Sequence, residues 1–129
     1  MELNWHDIAL VAAGTVGSAT AVVHGLLTQR MMVHPVGALL AADPRASGII
    51  QRLVPALLQF STFNWFIGGL ALISAAFWLE GDARLVTCAL VASSYLFGAV
   101  FNLWATRGRH PGWMLMTGAL VLIGVGATG

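Results

Sequence analysis

Four uncharged polar side chains interrupt the apolar stretches of this chain: His24, Gln59, Asn64 and Asn102. An imidazole and three carboxamides can each donate and accept hydrogen bonds. Grouped together, they can hold the head of a bound molecule. The first of them opens the run "HGLLTQR" (residues 24–30), so an arginine closes the segment that the histidine begins. Arg30, Arg107 and Arg109, joined by His34 and His110, would form a basic rim, and guanidinium forks match phosphate and carboxylate oxygens. The chemistry expected is a polar pocket that binds or transports a small anionic or lipid-like molecule. A plainer role is also open, in which the four polar groups hydrogen-bond one another. Such bonds contribute only about 0.6 kcal/mol on average in a membrane. The arginines would then serve topology and lipid phosphates. A third possibility is a haem- or quinone-associated subunit, with His24 as an axial ligand and His34, His110 or another subunit supplying the second. Otherwise no cofactor, metal or catalytic group is expected.

These side chains need elements that place them at one level, and composition says what those elements are. Of 129 residues, 58% are hydrophobic and 9% charged, against about 25% charged in a soluble domain. The six basic residues are all arginines, and mean hydropathy is +0.83. The class is integral membrane protein. A net charge of +1 leaves no basic arm for nucleic acid. One cysteine, Cys88, allows neither an internal disulfide nor a CxxC motif. The opening "MELNWHD" has two acidic residues and no basic one, unlike a cleaved signal peptide, so a permanent helix is expected there.

A helix needs roughly 20 apolar residues to cross the hydrocarbon. Four stretches qualify, at about 7–28, 53–79, 85–106 and 111–128, with a long loop at 29–52. Short links at 80–84 and 107–111 make neighbours antiparallel, so the fold expected is a single all-α domain, an up-down bundle of four spans. Five of the six arginines (Arg30, Arg45, Arg52, Arg107, Arg109) fall on one side, which the positive-inside rule makes cytoplasmic. Both termini then face outward. Trp5, Trp78, Trp104 and Trp113 lie near span ends, as an interfacial belt requires. The sequence "DPR" at 43–45 predicts a helix start capped by Asp43 with Pro44 in its first turn. Pro55 then falls inside the second span, and Pro111 starts the fourth. The segment "MMVHPVGALLA" (31–41), interrupted by Pro35, is expected to lie along the interface.

Measured from Arg30, Arg52 and Arg107, His24 is six residues into its span, Gln59 seven and Asn102 five. All three are thus roughly 7–11 Å below the boundary, with Asn64 deeper at about 18 Å. Polar groups at that depth should point inward. Small residues at helical spacing (Gly14, Ser18, Ala21 and Gly25; Asn64, Gly68, Ala71 and Ala75; Ser94, Gly98 and Asn102) are the surfaces expected to pack, within the chain or between copies. Tyr95 and Cys88 read as core residues. No acidic residue lies mid-span, which argues against proton-coupled export.

"HGLLTQR" ending the first helix, with "RGRHPGW" opening the fourth, resembles small four-helix inner-membrane proteins of bacteria. The resemblance implies their fold and a bacterial cytoplasmic membrane, and no activity, substrate or cofactor. Members of that group often have an acidic residue after the first-helix histidine; this chain has Gln29. The function expected is a non-enzymatic protein of structural or accessory type, surrounded by lipid, as a homo-oligomer or within a larger membrane complex.

Overall fold

The computed structural model describes residues 4–128. It is all-α: α1 (Trp5–Thr28), a π turn (Gln29–Val33), α2 (His34–Ala42), α3 (Gly48–Trp78), α4 (Gly81–Thr106) and α5 (Gly112–Gly126). Helix α1 begins in a capping box. The Asn4 side chain accepts from the Asp7 backbone N–H at 3.0 Å, and the Asp7 carboxylate accepts from the Asn4 N–H at 3.2 Å. Two of the helix's orphan donors are thereby satisfied.

The long loop expected at 29–52 is largely helical. The first helix runs on through the π turn and α2 as one 38-residue stretch, Trp5–Ala42. Pro35 does not break it, because the wide turn shifts the hydrogen-bond register. The His34 N–H reaches the Gln29 carbonyl, and Pro35 falls in the first turn of α2, where its missing N–H is not needed. Asp43 and Pro44 do not open the next helix. Asp43 closes α2, and its carboxylate accepts from the Arg45 N–H at 2.9 Å in a turn. Ser47 caps α3 instead, accepting from the Ile50 N–H at 3.4 Å. Pro55 lies inside α3 as expected. Helix α4 ends on two successive residues of positive φ, Arg107 (51°) and Gly108 (75°). The Gly108 N–H returns to the Leu103 carbonyl, a closure that glycine accommodates and that strains Arg107.

The helices form a closed ring in which α1 touches α3, α3 touches α4, α4 touches α5 and α5 returns to α1. Neighbours are antiparallel. Gly14 meets the Gly69 backbone and Gly25 meets Thr62, while Gly98 meets Trp65. The glycines of these stripes are therefore used for contacts inside the chain, whereas Asn64 stays exposed. Tyr95, fully buried, reaches across the centre: its hydroxyl donates to the Trp65 carbonyl at 3.1 Å, and its ring lies where a Cβ on Gly17 would be. Leu10, Leu72, Met116 and Cys88 complete the core.

The outward surface is apolar, with Phe60, Phe63, Phe97, Leu90 and Trp104 all more than half exposed. Three helices, Trp5–Ala42, Gly48–Trp78 and Gly81–Thr106, are long and apolar enough to cross a membrane. Helix α5 has 15 residues rather than the 18 expected from 111–128. At 1.5 Å per residue it measures about 22 Å, short of a ~30 Å hydrocarbon core.

A candidate ligand cavity at the arginine-bearing end

Antiparallel packing brings the C-terminal ends of α1 and α4 beside the N-terminal ends of α3 and α5. At this end a cavity of about 420 Å³ opens between α1, α4 and α5, with Trp65 of α3 as one wall. His24, Asn102 and His110 are its chief hydrogen-bonding groups, set among Val23, Leu27 and Leu115. The His24 ring tilts against Trp65 with centroids 4.6 Å apart. Its Nε2 is shared by two hydroxyls, Ser61 Oγ at 3.2 Å and Thr28 Oγ1 at 3.3 Å, leaving Nδ1 without a partner among the described residues.

Asn102 presents the one buried side-chain polar atom that lacks a hydrogen bond among the described residues, its Oδ1. A buried acceptor left unpaired costs about 1–3 kcal/mol; this oxygen is closed off even from the cavity, which Asn102 lines with its other atoms. His110 is fixed more tightly. The Gly112 N–H donates to its Nδ1 at 3.1 Å. That nitrogen therefore carries no proton, and the neutral ring must bear its hydrogen on Nε2. An imidazole and a carboxamide thus stand among the walls of one apolar chamber.

No family model, curated protein or solved structure matches this chain. The geometry alone carries the reading of the site.

That geometry divides the expected set. Gln59 is locked into the α1–α3 seam: its Nε2 donates to the Gly25 carbonyl at 3.1 Å and to Gln29 Oε1 at 3.0 Å, and its Oε1 accepts from Thr62 at 2.9 Å. It lines neither large cavity. Asn64 does not point inward. It is exposed on the outer side between α3 and α4, where it donates to Ser94 Oγ. The four polar residues do not hydrogen-bond one another; each finds a hydroxyl, a backbone group or, for Asn102 Oδ1, nothing. Arg30, Arg107 and Arg109 are exposed at the same end of the bundle, yet they line neither cavity. His110, assigned only to the rim, belongs to the chamber. Its position was hidden because the turn 107–111 folds back over Asn102, a matter of loop geometry rather than depth.

The opposite end holds a network that spacing did not reveal. Arg84, 4% exposed, contacts Asp7 Oδ1 at 2.7 Å and donates from Nε and Nη2 to the Gly126 carbonyl at 3.1 and 2.9 Å. His6 Nδ1 meets the Val125 carbonyl at 2.8 Å; a carbonyl only accepts, so that nitrogen carries the proton. This end is sealed, and the other is open.

Proposed function

We propose that the chain is a non-enzymatic, accessory-type membrane protein that binds a lipid-like molecule in the chamber of His24, Asn102 and His110. The observation that carries this reading is a cavity of about 420 Å³ whose walls are apolar apart from Thr20, His24, Asn102 and His110. Apolar walls with a few convergent polar groups are the usual make-up of a small-molecule site. Of the two ligand types expected, the lipid-like one is favoured over the anionic one, because no arginine lines the chamber. Haem is disfavoured by His24, whose Nε2 is already held between Ser61 and Thr28.

In this reading the protein sits in a bacterial cytoplasmic membrane with four spans and both termini periplasmic. Five arginines collected at one end of the bundle support that orientation. For the fourth span, α5 runs beside α4 from Asn102, near Gly112, to Arg84, which holds Gly126. It therefore extends along most of a helix that is itself long enough to cross.

Native mass spectrometry of the protein released from mild detergent tests the proposal. A co-purifying mass is expected on the wild type and lost from Asn102→Leu, with helix content unchanged. Equal retention by both proteins would refute the chamber as a binding site.

A further inference from the structure

A second hollow, about 460 Å³, lies between α3 and α4 on the outer face, walled by Phe60, Phe97 and Phe101 and floored by Asn64, Ser93 and Ser94. Four residues, His24, Trp65, Gly98 and Asn102, line both this groove and the inner chamber. The two spaces are thus neighbours across a partition that includes Trp65. That partition is held at its backbone, where Tyr95 donates to the Trp65 carbonyl, while the ring edge lies directly on Gly98. Only a glycine leaves room for it, since a Cβ at position 98 would collide with the indole.

The head-binding groups are an imidazole and a carboxamide, side chains that can both donate and accept hydrogen bonds. His110 and Asn102 both line the chamber, and among the described residues no Arg, Asp or Glu lines either space. A net charge in so apolar a chamber would carry a desolvation cost. A hydroxyl or carbonyl head would be matched. The groove has a polar floor of Asn64, Ser93 and Ser94, but its phenyl walls are open on the apolar exterior and give a hydrocarbon tail a surface to follow.

We propose that a single-tailed, uncharged amphiphile with a hydroxyl or carbonyl head enters sideways between α3 and α4, past Trp65. Its head rests between Asn102 and His110, and its tail lies along Phe60, Phe97 and Phe101. This rests on the reading of the inner chamber as a lipid site and adds the head chemistry and the route.

The test uses the full chain in phosphatidylcholine vesicles with two photoreactive probes, a long-chain alcohol and the matching fatty acid, each carrying a diazirine in its tail. The alcohol is expected to label peptides bearing Phe60, Phe97 and Phe101 several-fold more than the acid does, and unlabelled alcohol should compete. Asn102→Leu should abolish that excess, and Gly98→Ala, which displaces the indole, should reduce it. Leu115→Trp fills the chamber from an exposed position and serves where a buried variant fails to fold; it too should remove the excess. Equal labelling by alcohol and acid, or labelling spread evenly onto Phe63 and Leu90, overturns the proposal. If native mass spectrometry still finds an Asn102-dependent ligand in that case, the route and head chemistry fall and the chamber stands. If it finds none, both fall.

Discussion

Arg84 and Asp7, 77 residues apart in sequence, meet at 2.7 Å in the sealed end of the bundle. The same guanidinium also closes the C-terminus of α5 through the Gly126 carbonyl. One side chain therefore ties α1, α4 and α5 together. A cation beside a helix C-terminus is also favoured by the helix dipole.

Replacing Arg84 with Met keeps the apolar stem and removes the fork. The Gly126 carbonyl then loses charge-assisted hydrogen bonds, each contributing about 1.5–3 kcal/mol. The expected result is a lower midpoint of thermal unfolding in detergent, clearly below that of Thr87→Ala, whose hydroxyl bonds only within its own helix. Equal midpoints would show that the buried fork does not hold this end.

Gly17 and Tyr95 form a second coupled pair, because a Cβ on Gly17 would strike the phenol. Gly17→Ala should destabilise by about 1–3 kcal/mol through overpacking. Tyr95→Phe alone loses one hydrogen bond, about 0.5–1.5 kcal/mol. The double variant should be less destabilised than the two losses combined, since removing the hydroxyl takes away the closest of the methyl's clashes and leaves only those with the ring edge. Simple additivity in a double-mutant cycle would contradict the contact.

Gln59 and His24 should separate on different measurements. Gln59→Leu removes three hydrogen bonds from the α1–α3 seam, at about 0.6 kcal/mol each in a membrane. It is expected to lower stability and keep the bound mass seen by native mass spectrometry. His24→Phe should keep the stacking on Trp65 and weaken retention of that mass.

The membrane orientation can be read from cysteine labelling. Cys88 is buried, so Cys88→Ala gives a background for single exposed cysteines. In intact cells a membrane-impermeant maleimide is expected to modify Asp82→Cys directly and Arg45→Cys only after permeabilisation. The reverse pattern would place the arginine-bearing end outside.

Much of the architecture was legible in the residues themselves. Apolar runs longer than a soluble helix needs, short links at Glu80–Arg84 and Arg107–Pro111, and arginines gathered at alternate links leave an up-down helical bundle as the consistent arrangement. Spacing by three and four also marked Gly14, Ser18 and Gly25 as a contact face, because that property belongs to a single helix and repeats with its turn. Helix ends were less legible. Asp43 and Pro44 carry the chemistry of a helix start, yet they close α2, because the π turn lets the preceding helix continue past Pro35 and moves the break downstream to Ser47.

Depth along a helix follows from counting, which is why His24 and Asn102 could be placed at one level. Azimuth does not, and it decided the rest. Gln59 turned into the α1–α3 seam, Asn64 onto the outer face, and His110 folded back over the chamber. Arg84 found Asp7 and Gly126. Those outcomes depend on how four helices rotate against one another, and the rotation is set by where Gly14, Gly17 and Gly98 let backbones and aromatic rings approach. The one-dimensional pattern determined the four apolar helices of the bundle and which end of it is basic, but not the helical continuation through Ala42. Close packing between segments distant in sequence decided which polar groups were satisfied, and left Asn102 Oδ1 unpaired among the described residues.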